Sequence, residues 1–448
     1  MFLRSCLLKS GCMAALALLA SSALAAQQPA SDNLSKILDR LDDLEKQNKE
    51  LLVEIQALRE ELHKTNPPLA GDLQALQEKV DVDAQRIDEQ AQTKVEASQR
   101  LPISLTGMFL LDAFLTQGAY NANFNADYGL GQPGGGATLR ESIIGLNFHG
   151  APIFGDGRIN GFLSMDFYSY AQSENIFRIR RGVVSFDWNH RSLILGQDKS
   201  IIAPLQPTSF ARVGVPPLAG AGNLWLWRPQ VTYEERIPIS KTTKATLQAS
   251  VFETDETDTA PSLVGTGEVG PDRPAAQATA QLEHDWGEQS KFVLGVAGDA
   301  SASHVLGQSV PSRVISVNFL IKPLPWLEIS GTALRGKNFA NLGGFPGGVT
   351  ISEYQSIIPI RGSAGWLQAA FPVTKRLTFD LYGGAQANDA RDLNPYGVIR
   401  NQTFAGNVLY RIAPNVVLGF EGATNHTEYL NALSFWTTRY DATVAYLF

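Results

Sequence analysis

Residues 177–182 read Phe-Arg-Ile-Arg-Arg-Gly. In an extended chain successive side chains point to opposite faces, so Arg178 and Arg180 share one face and Arg181 takes the other, where it could meet a second protomer. Paired guanidiniums present forked donors that match the oxygens of a carboxylate or a phosphate. Lys199 and Arg212 follow in the apolar stretch KSIIAPLQPTSFARVGVPPLAGAGNLWL (199–226), and Arg228 stands just beyond it. The chemistry open to this set is attraction and orientation of anions, with no bond made or broken. The competing reading pairs the same arginines with Asp166, Asp187, Asp198 or Glu234.

Enzymatic chemistry finds no comparable set. His149, His190, His284, His304 and His426 lack the spacing of a metal-binding motif, and no stretch proposes a serine triad. No catalytic residue, metal or cofactor is expected. The acidic run ETDETDTAP (253–261) reads as a solvated loop. With 37 basic and 44 acidic residues the chain has no basic excess, which argues against a nucleic-acid partner.

The arginines need a frame. From Ile103 onward the hydrophobic period is two. RINGFLSMDFY sets Ile159, Gly161, Leu163 and Met165 against Arg158, Asn160, Ser164 and Asp166, and KATLQASVFE alternates in the same way. Connections alternate too. Seven short ones occur at HGAPIFGDGR, WNHR, ERIPISKTTK, HDWGEQSK, KPLPW, FPVTKR and YRIAPN. Eight long ones fall at 116–137, 170–175, 199–226, 254–274, 299–311, 337–356, 387–397 and about 426–433. This predicts an all-β transmembrane barrel of 16 antiparallel strands over 101–448. Its arginines at 178 and 180 must face the lumen, because an arginine facing lipid at mid-membrane costs ~2–4 kcal/mol. Both barrel ends fall on the short-turn side, where Phe154, Trp188, Trp286, Trp326, Phe371 and Tyr410 suit an interfacial girdle. The last strand, YDATVAYLF, alternates Tyr440, Val444, Tyr446 and Phe448 outward, closes against the first strand, and has the pattern read by barrel assembly machinery.

The N-terminal part is organised differently. Residues 1–25 have a basic start, a short apolar run and Ala-Leu-Ala, the signature of a cleaved export signal. Both cysteines, Cys6 and Cys12, lie within it, so the exported chain has no thiol. Over 32–65, heptads place Leu34, Leu41, Asn48, Ile55 and Leu62 at a, and Ile37, Leu44, Leu51, Leu58 and Thr65 at d. So narrow an apolar seam demands partner helices, and Asn48 is the kind of polar a residue that fixes register. Residues 66–100 open on Pro67-Pro68 and carry a weaker helix over 73–97.

The 199–226 loop is too apolar to stand in water. Folded inward, it would bury its own Ile, Val and Leu residues and narrow the pore. Phe210, Trp225, Trp227 and Tyr233 alternatively suggest a track for stacking sugar rings.

This layout resembles the DcaP-like trimeric outer-membrane porins. The similar elements are the heptads, FRIRRGVVSFDW followed by LILGQDKS (193–200), the long third loop and the terminal strand. By that resemblance Arg178, Arg180, Gln197 and Lys199 match the positions that lead into the constriction. It implies a homotrimer in the outer membrane of a Gram-negative-type bacterium, with its coiled coil in the periplasm and lipid around its barrel, passing small anionic solutes such as dicarboxylates. A sugar or general-diffusion pore, and a structural tether to the cell wall, are the other uses open to such a chain.

Overall fold

The structure, a computed structural model, describes residues 103–117, 134–167, 177–211, 216–254, 269–287, 290–344, 348–352, 356–432 and 434–448, with seven residues between 46 and 57. The export signal, the helix over 73–97 and most of the heptad segment lie outside these residues. The seven (Lys46, Gln47, Glu50, Leu51, Val53, Glu54 and Ala57) are helical and exposed. The chain divides into two compact units, Met1–Arg100 and Leu101–Phe448.

The second unit is built of strands. They are β1 (Ile103–Gln117), β2 (Gly134–Thr138), β3 (Ile143–Ile153), β4 (Gly157–Asp166), β5 (Arg178–Asp187), β6 (Arg191–Lys199) and β7 (Trp227–Pro238). Next come β8 (Thr243–Phe252), β9 (Val269–Gly287), β10 (Ser290–Val305), β11 (Gln308–Leu324), β12 (Leu327–Lys337), β13 (Val349–Ile351) and β14 (Ile357–Pro359). β15 (Arg361–Pro372), β16 (Leu377–Asn388), β17 (Val398–Ala413), β18 (Val416–Tyr429) and β19 (Phe435–Leu447) complete the set. β13 and β14 form a separate hairpin, and β2 with β3 make one interrupted wall strand. Among the described residues this leaves sixteen antiparallel wall strands. β19 pairs with β1 from Met108↔Leu447 to Gln117↔Thr438, which closes the ring.

The ring is polar inside and apolar outside, the reverse of a soluble fold. On β1 Asp112 and Thr116 are buried, while Phe109, Leu111 and Leu115 are exposed. On β19 Thr437, Arg439, Asp441 and Thr443 are buried, while Trp436, Tyr440, Val444 and Tyr446 are exposed. Hydrocarbon suits the outer face, and the inner face, where Met108, Leu110 and Phe114 of β1 stand beside the polar side chains, keeps those polar groups out of lipid. Phe154, Trp286, Trp326 and Tyr410 are exposed beside the short turns, where a girdle was expected. Phe448 packs on Phe109, their ring centroids 5.1 Å apart, and exchanges backbone bonds with Gly107.

Among the described residues six short turns fall where the alternation placed them, and the centre of the seventh, 288–289, lies outside those residues between the paired Gly287 and Ser290. The long loop expected at 299–311 does not form. β10 and β11 run on to a two-residue turn, Leu306-Gly307, with both φ positive at 48° and 74°. The run of small side chains Ser301, Ala302 and Ser303 keeps the period of two, so the pairing continues to Val305↔Gln308. Positive φ at both central residues matches the right-handed twist of a tight hairpin.

The second wall strand breaks at 139–142. There the Ser142 hydroxyl accepts from Leu110 N at 3.0 Å, standing in for a ladder bond, and Glu141 is buried. At the long-loop rim, beyond the membrane-spanning strands, Asp389 accepts from Arg391 Nε and Nη2 at 2.9 and 2.6 Å. These bonds hold its carboxyl below the usual carboxylate range, and Arg361 does the same for Asp392.

The facing assignment is testable. Val444→Arg, on the outer face, is expected to cost ~2–4 kcal/mol in urea unfolding from lipid vesicles. A cost near zero would sink the assignment of this face to lipid.

Candidate functional site: an arginine corner under an inward-folded loop

β5 carries the basic residues, and a bulge decides where they point. Ser164 pairs with Arg181 and Met165 with Ile179, so Arg180 is the extra residue. A bulge re-aims side chains locally. Arg181 therefore does not take the outer face that simple alternation assigned to it. It shares the partner row of Ser164, which is buried inside, and its guanidinium grips Asp198 with Nε and Nη2 at 2.6 and 2.9 Å. It also lies 5.1 Å over the Phe162 ring.

Arg178 makes a forked pair with Asp166, Nε–Oδ1 at 3.0 Å and Nη2–Oδ2 at 2.5 Å. Arg180 reaches Glu141 at 3.2 Å and Asp166 at 3.5 Å. Arg178 also sits 5.2 Å over Trp227 and 6.0 Å over Trp225, and Arg180 sits 4.8 Å over Trp227. The sequence named Asp166 and Asp198 as possible partners. Of the other two, Asp187 is bonded by Asn160 and Ser185, and Glu234 by Arg236.

The remaining residues fall as follows. Lys199 donates to the Leu205 carbonyl at 3.0 Å at the foot of the loop. Arg228 is buried and donates to Asn341 O at 3.5 Å. Gln197 pairs with Pro229, which places it by register in the outward row of Leu195 and Val231. Its amide donates to Ile179 O at 2.7 Å and Arg180 O at 3.4 Å, carbonyls beside the bulge. It supports the arginine strand rather than facing the lumen. Arg212 lies outside the described residues.

The loop between β6 and β7 crosses the barrel interior. Ile202 O accepts from Ser316 and Asn318 on β11 at 2.6 and 3.0 Å. Thr208 N donates to Gln368 on β15 at 2.6 Å, and Thr208 O accepts from Asn407 on β17 at 2.9 Å. Ser209 donates to Glu421 on β18 at 2.6 Å, and Gly220 O accepts from Asn401 at 2.7 Å. Ile202, Ala203, Leu218, Ala221 and Leu224 are all within 1% of complete burial. The apolar residues that excluded a solvent loop are what fill the interior.

Glycines allow the close passage. Gly222 has φ +104°, and a Cβ there would stand 2.5 Å from Gly365 O. A Cβ on Gly384 would stand 2.3 Å from Ala221 O. Neither contact is possible for a larger residue.

The wall across from the arginines is acidic. Asp380, Asn407, Glu421 and Asp441 lie in one row over β16–β19, each opposite the next. Asp112 is buried nearby on β1, and Arg439 bonds Asp441 at 2.6 Å and reaches Asp112 at 3.7 Å. Glu421 accepts from Tyr382 at 2.5 Å and Asn407 at 3.2 Å as well as from the loop. Around the arginine corner, among the described residues, Arg178, Arg180, Arg181, Lys199 and Arg228 outnumber Glu141, Asp166 and Asp198. Basic side chains thus gather along β5–β7 and carboxyl side chains along β16–β19.

The aromatic track does not assemble. Tyr233 is exposed on the outer face, and Phe210 packs against Met108, Leu110, Val417 and Ala445 on the far wall. Trp225 and Trp227 contact each other at 5.4 Å and serve the arginines. Among the described residues, no three of His, Cys, Asp or Glu are grouped to hold a metal ion. Glu141 and the inward turn of Arg181 had no signal in the sequence, since both arise from breaks in strand regularity.

No protein-family model and no curated protein matches this chain. Solved structures do. The DcaP outer-membrane channel of Acinetobacter baumannii matches at TM-score 0.62 and 21% identity, over 77% of this chain and 97% of that one. The anion-selective porin from Comamonas acidovorans matches at TM-score 0.51 and 15% identity, over 77% of this chain and 99% of that one. At such identities the likeness is one of fold, the sixteen-stranded barrel of outer-membrane porins.

Asp166 is fully buried between two guanidiniums. Asp166→Ala, which takes the forked carboxylate from Arg178 and leaves Arg180 with Glu141, is expected to lower unfolding free energy by ~3–5 kcal/mol. A loss under about 1 kcal/mol, typical of exposed pairs, would mean the pairing is solvated.

Proposed function

We propose that this protein is an outer-membrane porin through which small hydrophilic solutes diffuse, with preference for small anions such as dicarboxylates. The observation that carries the preference is the cationic excess at the arginine corner, where five cationic groups meet three carboxylates at the foot of the inward loop. An excess of one sign inside a low-dielectric wall raises the local concentration of the opposite ion. Arg178 stands at 22% side-chain exposure, between Arg181 at 43% and Arg180 at 9%. A passing carboxylate can take one of its forked bonds in exchange with Asp166. The solved anion-selective porin of the same fold supports this reading. A sugar pore is less well supported, because its four aromatic residues face three different surroundings.

In this reading the short turns and both barrel ends face the periplasm. Heptads over 32–65 hold three copies together and reach ~45 Å at ~1.5 Å per residue. A structural tether is the rival of another class.

Planar-bilayer recording in a salt gradient tests both. The expected result is conductance in steps of three with an anion-selective reversal potential. Arg178→Ala with Arg180→Ala should move that potential towards zero, and deletion of 26–100 should leave conductance in place. A non-selective channel would overturn the anion preference. Absence of any conductance would overturn the porin and favour the tether.

A further inference from the structure

A second loop, between β12 and β13, also turns inward. Its 3-10 turn Ala340–Leu342 is buried, and Phe339 and Leu342 are each 1% exposed. They share one apolar cluster with Ile202, Ala203 and Leu224. Those three residues belong to the two feet of the crossing loop, Ile202 and Ala203 where it leaves β6, Leu224 where it returns to β7. The short turn therefore braces both feet at once.

The bracing continues in polar contacts. Leu342 O accepts from Trp225 N at 3.2 Å and Leu226 N at 3.4 Å. Asn341 O accepts from Arg228 at 3.5 Å. Asn341 is itself fixed, its amide donating to Ser301 at 2.9 Å and its Oδ1 accepting from Ser312 at 3.3 Å. Ser312 also donates to Asn338 O at 3.0 Å, and Asn338 N donates to Ile360 O at 2.9 Å. Gly343 closes the turn with φ +85°, and a Cβ there would stand 3.0 Å from Trp225 Cδ1 and 2.9 Å from Leu226 Cγ. Trp225 and Trp227 are the rings against which Arg178 lies.

We propose that the uncharged segment 338–344 is a positioning element of the pore. It sets Trp225 and Arg228, and through the tryptophans it sets the Arg178 guanidinium, so charge selectivity depends on a loop that carries no charge. This rests on the anion-selective reading above and names the part that holds its filter in place. Asn341 and Ser312 are the positioning residues. Neither touches Arg178, and each acts through the turn.

The test is reversal potential in a salt gradient for the full chain, for Asn341→Ala and for Ser312→Ala. Folding is checked by the shift between heated and unheated mobility in detergent gels. Both variants should fold and conduct. Both should move the reversal potential by at least half of the change produced by Arg178→Ala with Arg180→Ala. A purely structural role for the turn would lower the yield of folded barrel and leave selectivity alone. Two folded variants with the wild-type potential would overturn the proposal while leaving the anion reading intact. If Asn341→Ala does not fold, Ser312→Ala decides alone, since it removes one hydroxyl and leaves Asn341 in place. A wild-type channel with no charge selectivity would overturn the anion reading and this proposal with it.

Discussion

Every backbone N–H and C=O in a membrane wall must find a partner within the protein, because hydrocarbon supplies none. The pairing of β19 with β1 meets that demand by removing both sheet edges. The inverted surface follows, since a closed ring of strands has one face for lipid and one for the interior. Where the ladder fails, side chains stand in, as Ser142 does for Leu110 and Gln197 for the carbonyls beside the β5 bulge. Both repairs lie close to the arginine corner. The breaks are also what turn Glu141 and Arg181 towards the interior, so the irregular points of the wall are the points that gather charge.

A polar interior then shapes the loop that crosses it. The segment between β6 and β7 has few polar side chains of its own. It meets the wall largely through backbone groups, to which Ser316, Asn318, Gln368, Asn401 and Asn407 supply side-chain partners. Its apolar side chains gather into clusters away from water. The bond from Ser209 to Glu421 ties it to the carboxyl-bearing wall, and Lys199 and Arg228 stand at its feet near the basic one. The loop spans the lumen because it is pinned on both sides.

Much of this was legible in the sequence. Strict alternation fixed the faces of most strands, and the seven short turns stood out because they interrupt it with Pro, Gly and charge. The inward path of 199–226 was readable from its apolar content. Two errors share one cause. The loop expected at 299–311 is strand, and Arg181 faces in rather than out, because small residues and bulges keep or shift the period of two without a mark in composition. The turn at 340–342 was invisible for another reason. Asn-Phe-Ala-Asn-Leu-Gly-Gly has no charge and no repeat, and its importance comes from residues more than a hundred positions away. Gln197 shows the limit of reasoning from resemblance, since its register gives it a supporting position.

The glycines at 222 and 384 have one more consequence. Main chain passes main chain there, Gly222 beside Gly365 and Gly384 beside Ala221, with Trp366 packed alongside. At these two points the route of the loop excludes every residue that has a side chain, whereas the charged positions lie elsewhere on the wall. A substitution at a charged position that does not bond the loop leaves these two contacts as they are. In the pore proposed above, the crossing point and the charge are thus set by different residues.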